Sequence, residues 1–324
     1  MKQRSQEHIT EKENPAAAFL DALPTNEILH LMNNEDQKVA LAVRKAIPQI
    51  ARAVELAAEA LAGGGRLVYV GAGTSGRLGV LDAAECLPTF GSKDVLAIMP
   101  GGRKAMFQAV EGAEDNRDQA RQDLQRLGLN SDDVLVGLSA SGRTPYTLEA
   151  VRFARRLRAD TIGITSNPAA PLRRLADIPI VVAVGPEVIA GSTRLKAGTA
   201  EKLVLNMLST ATMVRLGRVL AGWMTHVQFK NQKLWERGRS ILVKATGTNN
   251  RTAGLVLTTT GGNLPVALLM LWRNISEKEA LGLLAEQPNP ARVLREAWEQ
   301  HLRAGRFPAP RRRTQYRSTP RRQP

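Results

Sequence analysis

From Asp36 onward the apolar positions Val39, Val43, Ala46, Ile47, Ile50, Val54 and Ala57 recur at three and four residues, the period of one buried helix face, until Gly63-Gly-Gly65 stops the pattern. Pro48 falls inside this stretch and predicts a kink. Short apolar runs then predict strands over 66–70, 95–99, 133–138, 160–164 and 178–183. Helical patterns follow or separate them: through Glu85, over 104–113, 116–127 and 145–157, and from 196 to 217. Strands alternating with helices predict right-handed βαβ crossovers, hence an α/β fold with a doubly wound, mostly parallel sheet covered on both faces. Residues 1–35 read as an irregular arm punctuated by Pro15 and Pro24, and 36–245 as the main domain. After about 245 the strand signal ends, and 246–302 reads as a small helical domain with Trp272 and Trp298 as core anchors.

Composition adds limits. A chain of 324 residues with 43% hydrophobic residues buries a full core. Its apolar runs are too short to span a membrane, and Met1 to His8 leads into polar sequence, unlike a signal peptide. The lone Cys86 forms no internal disulfide, which fits a cytoplasmic location. His8, His30, His226 and His301 are scattered without ligand spacing, so no metal is expected. The net charge is +15, but residues 303–324 hold eight arginines and no acid, leaving +7 on the rest. With four prolines and few apolar residues, that Arg/Pro-rich tail is expected to be disordered. The distribution argues against a specific nucleic-acid partner for the body of the chain.

Three loops carry candidate chemistry. The run Leu67 to Val70 breaks into Gly71-Ala-Gly-Thr-Ser-Gly76 and enters a helical pattern, which reads as strand, tight turn and helix start. Unpaired N–H groups and the helix dipole favour an anion there, glycine lets the backbone approach it, and hydroxyls add donors. The candidate phosphate-binding residues in this loop are Gly73, Thr74, Ser75 and Gly76. Strand 133–138 runs in the same way into Ser139-Ala-Ser-Gly-Arg-Thr-Pro145, offering Ser139, Ser141, Gly142, Arg143 and Thr144. The third loop, Gly191-Ser-Thr-Arg-Leu-Lys-Ala-Gly-Thr199, offers Ser192, Thr193 and Lys196. Taken alone, the first loop's glycine spacing also fits a dinucleotide site or a purely structural turn. A dinucleotide site wants an acid at the end of the next strand, where this chain has Met99-Pro-Gly-Gly102, and no segment has the Lys-Ser/Thr ending of a nucleoside triphosphate loop. Hydroxyls and amides of this kind suit a phosphate monoester, as on a sugar.

Four blocks carry a family resemblance: Gly71 to Gly91, Val110-Glu-Gly-Ala-Glu-Asp115, Ser139 to Tyr146 and Ala190 to Asn206. They resemble the N-acetylmuramic acid 6-phosphate etherases of the sugar isomerase (SIS) phosphosugar-binding fold, over about Thr10 to Trp298. The resemblance implies a flavodoxin-like sheet, a small helical (UBA-like) C-terminal domain, and a cytoplasmic, homodimeric bacterial lyase of peptidoglycan recycling that needs no cofactor. It implies cleavage of the lactyl ether of N-acetylmuramate 6-phosphate to N-acetylglucosamine 6-phosphate and D-lactate. Non-catalytic sugar-phosphate sensors and phosphosugar isomerases share the fold; for an isomerase, Glu201 would be the alternative base. The chain departs from the family pattern at Leu87, in a shorter Ser92 to Pro100 segment, at Met224 to Asn231, which lacks a customary acid and threonine, and in its tail.

By motif, Glu85 and Glu114 occupy the family's catalytic positions. Ether cleavage beside C2 of an opened aldehyde sugar needs a base for the C2 proton and an acid for the leaving lactate oxygen. Glu85 is expected near the end of its helix, where the dipole and Leu87 favour the protonated form, so Glu85 is read as the acid and Glu114 as the base. Ser75 and Glu85 are ten residues apart, about 15 Å along a helix. An opened hexose phosphate is too short for that span. Either the helix ends early, or Glu85 serves a site whose phosphate the partner protomer holds; the second reading is preferred.

Truncation after Ala304 is expected to leave turnover and melting temperature nearly unchanged, because an Arg/Pro segment of this composition buries little surface. A large fall in melting temperature by calorimetry would show that the tail is docked.

Overall fold

The computed structural model describes residues 9–229, 231–286 and 290–305. Most of the Arg/Pro-rich tail, the first eight residues and Lys230 lie outside the described residues. The chain forms two compact units, one ending at Leu216 and the other beginning at Gly217.

The first unit opens with helices α1 (Thr25–Lys45) and α2 (Ile47–Ala62). Helix therefore begins about ten residues earlier than the irregular arm expected over 1–35. The expected kinked helix is two helices. The Ala46 amide closes α1 onto Val43 O, and Pro48 takes the first turn of α2, where a missing N–H costs nothing. Five strands follow with intervening helices: β1 (Leu67–Gly71), α3 (Gly73–Phe90), β2 (Val95–Ile98), α4 (Gly102–Phe107), α5 (Arg117–Leu127), β3 (Val134–Leu138), α6 (Pro145–Arg156), β4 (Asp160–Thr165), α7 (Pro171–Leu175), β5 (Ile178–Val181) and α8 (Lys196–Arg215). The expected helix 104–113 is shorter because Gln108 is extended and Gly112 takes φ +68°. Glu114 consequently lies on a separate 3-10 turn, Ala113–Asp115.

The strands form one parallel sheet in the order β2-β1-β3-β4-β5. Consecutive strands β1 and β2 are neighbours, and the chain then crosses back over β1 to lay down β3, so the order reverses between β1 and β3. Val68, Val70 and Leu135 face a core shared with Leu124 of α5 and Tyr146, Ala150 and Val151 of α6. The alternate residues Tyr69 and Leu138 face α3. Helices thus cover both faces. At the other end of the strands, the Arg66 side chain grips Asp133 through two bonds (Nε to Oδ1 2.9 Å, Nη2 to Oδ2 2.6 Å) and ties the starts of β1 and β3 together.

The second unit begins with a short hairpin, β6 (Val219–Leu220) and β7 (Trp223–Met224). Helices α9 (Gln232–Thr246), α10 (Asn250–Thr259), α11 (Leu264–Arg273), α12 (Glu277–Ala285) and α13 (Pro290–Arg303) follow. Trp272 and Trp298 are buried in its core with ring centroids 5.5 Å apart, and Trp272 Nε1 donates to Ala245 O at 2.9 Å. Ile241, Leu242 and Ala245 of α9 belong to this core. For that reason the division falls at 216/217 and not at the expected 245. Among the described residues no helix is long and apolar enough to cross a membrane.

Helix α3 sits tightly on the sheet. A Cβ on Gly76 would stand 2.4 Å from Gly71 O, and one on Gly79 would stand 3.0 Å from both Tyr69 and Leu138. Gly76→Ala is therefore expected to push α3 off β1 and cost about 2 kcal/mol, read as a lower denaturation midpoint in urea. An unchanged midpoint would show that the helix start moves freely.

Candidate functional site

Ligands of open α/β sheets bind beyond the carboxyl ends of the strands where the strand order reverses. Here that point lies between β1 and β3, whose register pairs Gly71 with Leu138, so the first two loops leave adjacent strands at the same level. Both run directly into helices. At α3 no side chain caps the helix start, and Gly73 in the left-handed region (φ +55°) makes the turn from the strand. At α6 the start is again uncapped, with Pro145 in the first turn. The first N–H groups of these helices have no intrahelical acceptor. The second loop is prearranged: Gly142 N donates to Ser139 Oγ (3.0 Å), Arg143 N to Ser141 Oγ (3.3 Å), and Ser139 Oγ lies 2.9 Å from Thr144 Oγ1. Gly142, at φ +65°, fits where a Cβ would stand 2.3 Å from Ala170 Cβ. Asn167 supports the loop by donating to Ser141 O at 3.2 Å.

The third loop differs. The amides of Lys196 and Ala197, at the start of α8, donate to the carboxylate of Glu187 at 3.0 and 2.9 Å. An internal acid therefore already occupies this helix start; burial raises the pKa of Glu187, and the two amide bonds offset part of that. Lys196, expected among the phosphate-binding residues, is buried, and its ammonium bonds Glu35 Oε2 (2.5 Å) and Pro186 O (2.6 Å). Its place is corrected from ligand contact to structural ion pair. Burial opposes ionisation of Glu35, but bonds from Lys196 and Lys38 outweigh it and lower its pKa. Ser192 and Thr193 remain half-buried in the loop.

Thr74 and Ser75 meet α8. A Cβ on Gly198 would touch Thr74 Cγ2 at 3.4 Å, and the buried Ser75 Oγ lies 2.9 Å from Glu201 Oε1. Burial pushes the pKa of Glu201 up to about 8, which the Ser75 bond only partly counters. Glu201 was legible as an anomaly: it heads the stripe Val204, Leu205, Leu208, all fully buried, so the helical period puts an acid on an apolar face.

The two candidate catalytic acids are exposed. Glu85 lies in the C-terminal part of α3, which runs unbroken from Gly73 to Phe90, with the last turn of the helix beyond it. Asp82, three residues earlier, is buried and accepts from Tyr69 Oη (2.9 Å) and Ser209 Oγ (3.2 Å). Glu114 rides on the 3-10 turn packed against α6, the helix that starts at the second loop. A cavity of about 820 Å³ opens beside β2, lined in part by Met99, Gly101, Arg103, Ala113, Asn116 and Arg126. No hydroxyl of the first two loops lines it, so bulk volume and convergent donors lie in different places.

Residues 49–155 match the family of the glucokinase regulatory protein N-terminal SIS domain, and residues 109–211 match the SIS domain family. The N-acetylmuramic acid 6-phosphate etherase of Photorhabdus laumondii is 49% identical over 278 residues, 85% of this chain and 92% of the relative. Its counterparts in Edwardsiella ictaluri and Geobacillus thermodenitrificans are 50% and 49% identical, each over 85% of this chain and over 93% and 94% of their own lengths. The chain belongs to the N-acetylmuramic acid 6-phosphate etherase family. A solved phosphoheptose isomerase from Neisseria gonorrhoeae is 20% identical, with a TM-score of 0.47 over 58% of this chain and 98% of that one.

The candidate cradle can be tested by charge. Ser141→Asp places a carboxylate in the second loop, where it would repel a phosphate dianion; calorimetry is expected to show loss of phosphosugar binding with the melting temperature kept. Unchanged affinity would remove Ser141 from the site.

Proposed function

We propose that this chain catalyses the reaction its relatives are named for. It cleaves the D-lactyl ether of N-acetylmuramic acid 6-phosphate, yielding N-acetylglucosamine 6-phosphate and D-lactate, in the recycling of cell-wall amino sugars. The observation that carries this reading is 49% identity across 85% of the chain to an enzyme of that name. The uncapped starts of α3 and α6 at the reversal of strand order supply anion-binding geometry for the 6-phosphate. In the reaction Glu114 takes the C2 proton of the ring-opened sugar, the C3–O bond to lactate breaks, and Glu85 gives a proton to the leaving oxygen. Water then adds across the C2–C3 double bond, its hydroxyl to C3 and its proton to C2, so that ether plus water becomes alcohol plus lactate.

The active site in this reading is shared between two copies of the chain. Ser75 and Glu85 lie on one unbroken helix, ten residues or about 15 Å apart. The ether carbon of an opened hexose phosphate lies only about half that far from its phosphorus, at bond lengths near 1.5 Å. Leu81, Ala84 and Pro88 are exposed and flank Glu85 along α3, with Leu81 at 44%. An apolar stripe around a catalytic acid fits a second copy of the chain packing there with two-fold symmetry.

Incubation with N-acetylmuramic acid 6-phosphate is expected to release D-lactate and N-acetylglucosamine 6-phosphate in equal amounts, and Glu114→Gln to slow this by about 10²- to 10⁴-fold. Binding without D-lactate would make the chain a sensor, and interconversion of an aldose–ketose pair an isomerase. For the shared site, inactive Glu85→Ala and inactive Ser141→Asp proteins, mixed and allowed to exchange subunits, should recover activity in about a quarter of the sites. Demonstrated heterodimers without D-lactate release would place both residues in one protomer's site.

A further inference from the structure

The bond between Ser75 and Glu201 sets two demands against each other. Ser75 stands in the first turn of α3, at the phosphate cradle, yet its hydroxyl is 2.9 Å from a carboxylate oxygen of Glu201. Glu201 is 2% exposed, and its other oxygen, Oε2, is buried with no hydrogen-bond partner among the described residues. If Glu201 is ionised, Ser75 donates its only proton inward and has none for a ligand. An ionised Glu201 would also face a phosphate dianion across one serine, in a site where water screens little.

Among the described residues no cation is placed to relieve this. On its own helix, Lys196 bonds Glu35 of α1, which also pairs with Lys38, and Lys202 lies 3.8 Å from Asp82 of α3. On α3, Arg77 bonds the carbonyls of Ala105, Met106 and Gln108, Asp82 is held by Tyr69 of β1 and by Ser209, and Cys86 is buried. On α2, Glu55 pairs with Arg215 at the far end of α8, and Glu187 receives the amides at its near end.

We propose that Glu201 is a positioning residue that works as a neutral carboxylic acid: it donates its proton to Ser75, turns the Ser75 hydroxyl toward the phosphate, and so makes phosphosugar binding depend on that one proton. The inference rests on the reading of the α3 and α6 starts as a phosphosugar site. With the proton on Oε1, the acid donates and Ser75 accepts, leaving the serine proton for a phosphate oxygen. Ligand and proton then bind together, each strengthening the other. Burial places the titration of Glu201 at about pH 8, so the neutral form prevails at pH 7 and declines above 8. Raising the pH removes the proton and weakens binding.

The test is calorimetric titration of the full chain with N-acetylglucosamine 6-phosphate, which carries the phosphate but no ether to cleave, from pH 7 to 9.5. The phosphate's second pKa is about 6, so the ligand is a dianion throughout. Affinity is expected to fall about tenfold per pH unit above 8. In Glu201→Gln, whose amide can donate to Ser75 but cannot ionise, affinity should stay level over the same range. In turnover, the wild-type loss above pH 8 should appear in KM and not in kcat. A level wild-type profile, or the same fall in a folded Glu201→Gln protein, overturns the proposal. If Glu201→Gln fails to fold by thermal melt, the wild-type profile alone decides. Wild-type binding that Ser141→Asp leaves intact, or no binding at any pH, would instead overturn the phosphosugar reading of these loops.

Discussion

Where Gly76 passes Gly71 there is no room for a methyl group, since a Cβ would stand 2.4 Å from a backbone oxygen. That closeness fixes the rest of the arrangement. It seats the start of α3 directly on the end of β1, beside the end of β3, at the point where the strand order reverses. A longer turn or a bulkier residue would lift the helix and aim its N–H groups elsewhere. With α3 held down, Tyr69 and Leu138 pack under Gly79, and Thr74 and Ser75 are carried against α8.

The fold treats its helix starts in two ways. At α5, α9, α10 and α11 an asparagine side chain accepts from the first turn, at α12 a serine does so, and at α8 Glu187 takes two amides. At α1, α2, α4 and α7, and at α3 and α6, no N-cap side chain accepts; α3 and α6 are set apart by beginning beside the reversal point, at the ends of adjacent strands. Unsatisfied donors are costly when buried and useful when an anion comes to them. The proposed anion site rests on the placement of these two starts at adjacent strand ends and not on the volume of a cavity.

Much of this was legible in the sequence. The β1–α3 loop announces itself because an apolar run breaks into glycines and hydroxyls before a helical period resumes, and the β3–α6 loop repeats the same local chemistry. The order of strands and helices followed from alternation alone. What was not legible depends on distance along the chain or on equivalent patterns. Lys196 looked like a phosphate ligand by its place in a hydroxyl-rich loop, yet its partner Glu35 lies 161 residues away. The break at Ala46 was hidden because the apolar period runs through it without a phase change, and proline at a helix start leaves no other mark. The unit boundary was placed too late because the hairpin and α9 carry no compositional shift. Glu201 entered the sequence reading only as an isomerase's alternative base, and its meaning required seeing Ser75 beside it.

In the proposed function the phosphate of a sugar substrate sits between the starts of α3 and α6. A crystal structure of the full chain with N-acetylglucosamine 6-phosphate tests this most directly. Phosphate oxygens are expected within hydrogen-bond reach of the first amides of α3 and α6 and of Ser75 and Ser141. Phosphate bound in the cavity beside β2, against Arg103 and Arg126, with both helix starts facing only water, would contradict it.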